Sequence, residues 1–127
     1  MIVEFSIPGE FPGLNEIIDA AKSHFGAYAT MKETYTDAVC WMAKRAPRLT
    51  RPIEATITWY AKDKRRDPDN VMAGQKFIFD GLVKSGIIPN DTWRYVKGIT
   101  HRFENDRKNP RIEVRVEEYE EVQNERN

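Results

Sequence analysis

From Ile53 to Tyr60 the chain alternates without a fault, with Ile53, Ala55, Ile57 and Trp59 set against Glu54, Thr56, Thr58 and Tyr60. A period of two marks a half-buried strand. This strand constrains the fold because of what it runs into: the basic residues Lys62, Lys64, Arg65 and Arg66, then Asp67-Pro68-Asp69-Asn70. A proline biases the residue before it towards extended backbone and is itself favoured at the first position of a helix. Asp67 therefore ends an extended segment, and Asp69 opens a helix. Two aspartates two apart within one helix would point about 200° away from each other; a change of conformation between them lets both carboxylates lean towards one point. The mouth of a strand is also a rigid place to hold ligands. The same residues suit a plainer role, with Asp67 as an N-cap and Asp69 complementing the positive end of the helix dipole.

Carboxylates two apart suit a hard cation, which takes oxygen ligands, and lysine and arginine around them suit a phosphate backbone. The stretch therefore points to metal-dependent phosphodiester chemistry. If the helix runs unbroken from Pro68, then Asp69, Ala73, Lys76 and Asp80 form one narrow polar stripe, with Val71, Ile78, Phe79, Leu82 and Val83 on the opposite side. A Lys76–Asp80 pair one turn apart is also what an ordinary solvated helix face carries.

The run DPDN, then Lys76, then FDGLVKSGII and Asn90-Asp91, resembles the RusA family of Holliday-junction resolvases, the crossover-junction endodeoxyribonucleases of bacteria and their phages. The close match covers roughly residues 65 to 91. It implies a small α/β domain of α+β character, with a mixed sheet of about four strands, two main helices packed on it, and a dimeric assembly. It puts Asp67, Asp69 and Asp91 on the metal-binding acids and Lys76 on the essential lysine, with Asp80 and Asn70 behind them. The chain departs from the family pattern twice. Lys76 lies three residues further on, with Met72, Ala73 and Gly74 as an insertion, and the acidic pair reads Asn90-Asp91.

The remaining chain is consistent with one domain over residues 1–127. Net charge is zero, yet residues 21–66 carry ten bases and four acids, while the first twenty residues carry four acids and no base. A basic middle between acidic ends attracts phosphates despite the neutral total, and Lys62, Lys64, Arg65, Arg66 and Lys76 are the expected DNA contacts. The single cysteine, Cys40, reads as a packed thiol. No leader and no membrane-spanning run is evident, which leads to a cytoplasmic expectation. Val3, Phe5 and Ile7 mark a strand, and Leu14 to Ser23 a short helix with Asn15 as its cap. Thr30 and Glu33 form a capping-box signature that predicts a helix over about 31–46. Gly86 is placed to end the helix after Pro68 in the left-handed conformation. Tyr95 to Phe103 and Ile112 to Val116 read as two strands of a hairpin, with an acidic, frayed tail from Glu117. His101 lacks a partner at ligand spacing, so zinc is not expected.

The expected function is a magnesium-dependent endonuclease, with manganese as a substitute, that cuts four-way DNA junctions as a homodimer. A non-catalytic junction-binding or assembly protein with a degenerate metal site is the alternative, and an Asp-x-Asp phosphatase a weaker one. Reach poses a difficulty. A helix from Pro68 to Ser85 would be about 27 Å long, whereas the six steps from Ser85 to Asp91 span at most ~20 Å. Either the helix starts late, with Gly74 in a loop, or Asp91 of one subunit completes the Asp67–Asp69 pair of the other.

Overall fold

The computed structural model describes residues 1–120. The alternating segment is strand β2, Ile53–Ala61, and its inward residues Ile53, Ala55, Ile57 and Trp59 are all buried. Three further strands, β1 (Ile2–Pro8), β3 (Val96–Asn105) and β4 (Arg111–Glu118), complete a mixed sheet in the order β1-β4-β2-β3. Four helices accompany it: α1 (Leu14–Lys22), α2 (Ala27–Met42), α3 (Pro68–Met72) and α4 (Gln75–Lys84). Val3 and Ile7 of β1 and Ile112, Val114 and Val116 of β4 join the inward residues of β2 in one core with Val39 of α2 and Phe77, Ile78, Phe79 and Leu82 of α4. The opposite sheet face is polar, carrying Glu4, Thr56, Thr58, Glu113 and Arg115. The expected α+β architecture, with a four-stranded mixed sheet and two main helices, is the one observed.

The expected hairpin is not. β3 pairs parallel with β2 at the sheet edge, and β4 lies antiparallel between β1 and β2. Adjacent strands joined by a short polar loop look like a hairpin in sequence. Here the loop instead passes the end of β2, where the Asp106 amide and the Asn105 side-chain amide both donate to the Ala61 carbonyl. β4 is the more apolar strand, and the central position buries it. Glu117 and Glu118, expected in a frayed tail, pair with β1 and β2 as the end of β4; residues 121–127 of that tail lie outside the described residues.

Two helix starts also differ. α2 begins at Ala27 after Gly26, whose φ of 90° is left-handed, and Thr30 lies inside the helix with its amide bonded to the Gly26 carbonyl. The cap of α1 is Gly13 rather than Asn15; the Glu16 carboxylate accepts from the Gly13 amide, and Asn15 is an exposed residue of the first turn. Gly86 behaves as expected. At φ 83° it closes α4 with Gly86 N–H donating to Val83 and Ile87 N–H to Leu82, the paired bonds of a Schellman ending.

Candidate active site

The helix after Pro68 is split, because α3 and α4 are joined through Ala73 and Gly74 by bonds three residues apart, Gly74 to Val71 and Phe77 to Gly74, a tighter turn than the α-helix. Packing explains the split. A Cβ on Gly74 would lie 3.2 Å from Phe11 Cβ and from the Trp59 ring, so the backbone is pressed against both side chains at the point where β2 and the β1–α1 loop meet. Asp69 thus belongs to a five-residue helix of its own, and the continuous stripe from Asp69 to Asp80 does not form.

Asp67 has extended backbone, φ −68° and ψ 156°, and its carbonyl accepts from the Asn70 and Val71 amides. Its carboxylate makes no capping hydrogen bond. Among the described residues neither Asp67 nor Asp69 has an ion-pair partner, and both are exposed. The capping role open to Asp67 in the sequence is therefore not taken by its side chain, and two acidic groups stand uncommitted where an extended segment passes into a helix. Behind them, Asn70 Oδ1 is buried without a hydrogen-bond partner. It lies against Gly13, where a Cβ would overlap it, so the turn into α1 packs directly on the turn into α3.

The basic residues divide into two groups. Arg66 is spent internally: its guanidinium donates to the Phe11 carbonyl at 3.0 Å and to Glu16 at 3.3 Å, and it faces Glu10 at 3.8 Å. It ties the β1–α1 loop to the site loop and offers little charge to DNA. Lys62 and Lys64 have no ion-pair partner among the described residues, and Arg65, almost fully exposed, leans on Asp63 at 3.7 Å. Arg107, from the loop before β4, shares a groove with Lys62 and Arg65, a neighbour that no sequence spacing announced. Affinity for DNA is expected to fall steeply with salt. Lys64→Ala and Arg65→Ala should each lower the log–log salt slope by about one, the effect of losing one phosphate contact. Arg66→Ala should leave the slope nearly unchanged while lowering thermal stability, and a salt-independent affinity would remove the basic residues from the interface.

Lys76, half exposed in the first turn of α4, faces Asp80 at 4.0 Å, and Lys32 of α2 approaches the same carboxylate at 3.7 Å. Asp80 Oδ2 is buried and makes no hydrogen bond, so these contacts are ion pairs at longer range. Asp91 lines a groove with Asp80, Lys32 and Lys84, whereas Asp67 lines a different cavity with Lys64, Phe103 and Asn105. Among the described residues no three acidic, histidine or cysteine side chains gather closely enough to hold one ion. The late start of α4 therefore does not bring Asp91 to Asp67 and Asp69 within the chain. Asn90 takes a structural part, its side-chain oxygen accepting from the Thr92 amide at 3.1 Å.

A hydrogen-bonded column that sequence reading missed lies beside Asp67. The Trp59 indole donates to His101 Nδ1 at 2.9 Å, which leaves Nε2 to donate to Gln75 Oε1 at 3.1 Å. Burial holds the His101 pKa below its ordinary value, in keeping with the neutral tautomer these bonds require. The chain ties β2 and β3 to the residue preceding Lys76.

Free carboxylates thus stand beside basic residues where an extended segment gives way to a helix. The family described as Endodeoxyribonuclease RusA matches residues 15–117, and the chain belongs to that family of DNA-cutting enzymes. No curated protein sequence matches closely enough to add a relative by name. No helix among the described residues is long and apolar enough to cross a membrane.

Proposed function

We propose that this protein is a magnesium-dependent endonuclease that resolves four-way DNA junctions as a homodimer, in the cytoplasm of a bacterial cell. The observation that carries the reading is the pair of uncommitted carboxylates at the β2-to-α3 passage, in a chain of the RusA family. Magnesium usually takes one or two protein carboxylates and fills its remaining positions with waters and substrate phosphates, so Asp67 and Asp69 fit it, and manganese accepts the same donors. When bound, the cation supplies Lewis acidity to the phosphodiester and acidifies water near the phosphorus. Asp67 and Asp69 hold it at a fixed place, because Pro68 and the two amides on the Asp67 carbonyl fix the backbone between them. Lys76 brings positive charge to the phosphate as negative charge develops, with Asp80 steadying its ammonium group. Lys62, Lys64 and Arg65 hold the backbone on either side.

Asp91 is assigned to the site of the partner subunit. Its position in the Asp80 groove, away from the cavity that Asp67 lines, supports this arrangement and gives the dimer a chemical reason. One experiment tests both claims. Wild-type protein should cut a labelled four-way junction, with magnesium but not with chelator, and leave the matched linear duplex intact. Asp69→Asn and Asp91→Asn should each be inactive alone. Mixed under proven subunit exchange, they should nick one strand, since a heterodimer then keeps one intact site and collects both lesions in the other. Junction binding without cleavage by wild type would favour the non-catalytic reading, and exchange without recovery would put Asp91 in its own chain's site.

A further inference from the structure

We propose that the cavity beside Asp67 receives one unpaired nucleobase from the strand being cut, stacked on Phe103. The inference rests on Asp67 engaging the scissile phosphate and extends that reading to the nucleoside next to it. The cavity holds about 480 Å3, within the range of about 300–1,000 Å3 common for small-ligand sites, and Asp67 is one of the residues that line it. A strand bound at Asp67 therefore brings a neighbouring base to its mouth.

The floor is aromatic and ordered. Trp59 and Phe103 occupy paired positions on β2 and β3, and His101, two residues before Phe103 on β3, has its ring 17° from the Trp59 plane and 19° from the Phe103 plane, at centroid distances of 6.1 and 6.2 Å. The Trp59 and His101 rings meet edge to edge through their hydrogen bond, and exposure rises from Trp59, at 3%, to Phe103, at 39%. His101 is locked by its bonds to Trp59 and Gln75, so the outermost ring rests on a fixed support. A base can lie on the exposed part of the Phe103 ring, and every base has a π-face for such a platform. The rim completes the fit. Lys64, free of ion pairs among the described residues, meets the phosphate. Asn105 commits its amide nitrogen to the Ala61 carbonyl at 2.9 Å, which leaves its oxygen to accept from an N–H on the base edge.

The test compares wild type with Phe103→Leu, which keeps apolar bulk but removes the π-face. The substrates are intact junctions and junctions carrying one abasic residue at each position flanking the cut. Binding is measured in calcium and cleavage in magnesium. At one flanking position the abasic residue should weaken wild-type binding by about tenfold, the scale of one lost base–aromatic stack. Phe103→Leu should bind the intact junction about tenfold more weakly and be indifferent to that lesion. Wild-type indifference to every lesion, or an equal lesion penalty in Phe103→Leu, overturns the proposal. So does a change of oligomeric state in Phe103→Leu without an altered lesion penalty, which would make this face a subunit contact. The calcium arm reads base capture without cleavage, so a failure of the nuclease reading shows separately in the magnesium arm.

Discussion

Asp67→Asn and Asp69→Asn are each expected to reduce junction cleavage to background, a loss of at least about 100- to 1,000-fold, the scale seen when a group that stabilises transition-state charge is removed. Binding measured in calcium should stay level or tighten, because a negative charge near the phosphates is gone. The expectation is sharp for Asp67 because its carboxylate caps nothing. An N-cap aspartate replaced by alanine ordinarily costs ~1 kcal/mol, but here the amides of Asn70 and Val71 are satisfied by the Asp67 backbone carbonyl. Thermal midpoints of both variants should lie within about 2 °C of wild type, as for other exposed changes. Cleavage near wild-type rate by either variant would remove that residue from the site, and a large drop in midpoint would give Asp67 a structural part instead.

Gly81→Ala is expected to be the most damaging conservative change in the core. Alanine is the better helix former by about 1 kcal/mol, so propensity alone predicts stabilisation. Packing reverses the sign, since a Cβ at Gly81 would overlap both Cβ and Cγ1 of Val39 and lie 3.2 Å from the Thr36 carbonyl. Val39 is fully buried in α2, and its Cβ cannot swing aside without moving that helix. Overpacking of this kind costs about 1–3 kcal/mol and occasionally more; with both backbones involved, a net loss of ~3 kcal/mol is expected. Calorimetry should show a midpoint lower by about 10 °C. An unchanged or higher midpoint would mean that α2 and α4 separate at little cost.

Much of this was legible because it is local. The alternation of β2, the proline between two aspartates and the glycine ending α4 each act over a few residues, and each formed where the pattern put it. What escaped depends on residues distant in sequence. Nothing in Tyr95–Val116 shows that β4 enters the sheet beside β1, because a strand's partner is set by which face and edge remain open once the helices have packed. The Thr30–Glu33 signature was valid locally but lost to a left-handed Gly26 four residues earlier. The candidate site followed the same division. The change of backbone conformation between Asp67 and Asp69 could be read from their tripeptide, but Arg66 could not be told from its basic neighbours, since its partners Glu10, Glu16 and Phe11 come from far earlier in the chain. The Trp59–His101–Gln75 bonds join three elements and leave no mark on spacing.

The placement of β4 also bears on the order of folding. Among the described residues it is the fourth strand in sequence, yet β1, the first, pairs with nothing else in the sheet. During folding, β2, β3 and the helices between them can assemble without β4, since parallel strands joined through helices need no later segment. Until β4 is in place, β1 has no strand to join, and Glu10 and Phe11 of the β1–α1 loop and Glu16 of α1 are not brought to Arg66. Arg66, next to Asp67 in the chain, is thus clasped only once β4 has threaded between β1 and β2.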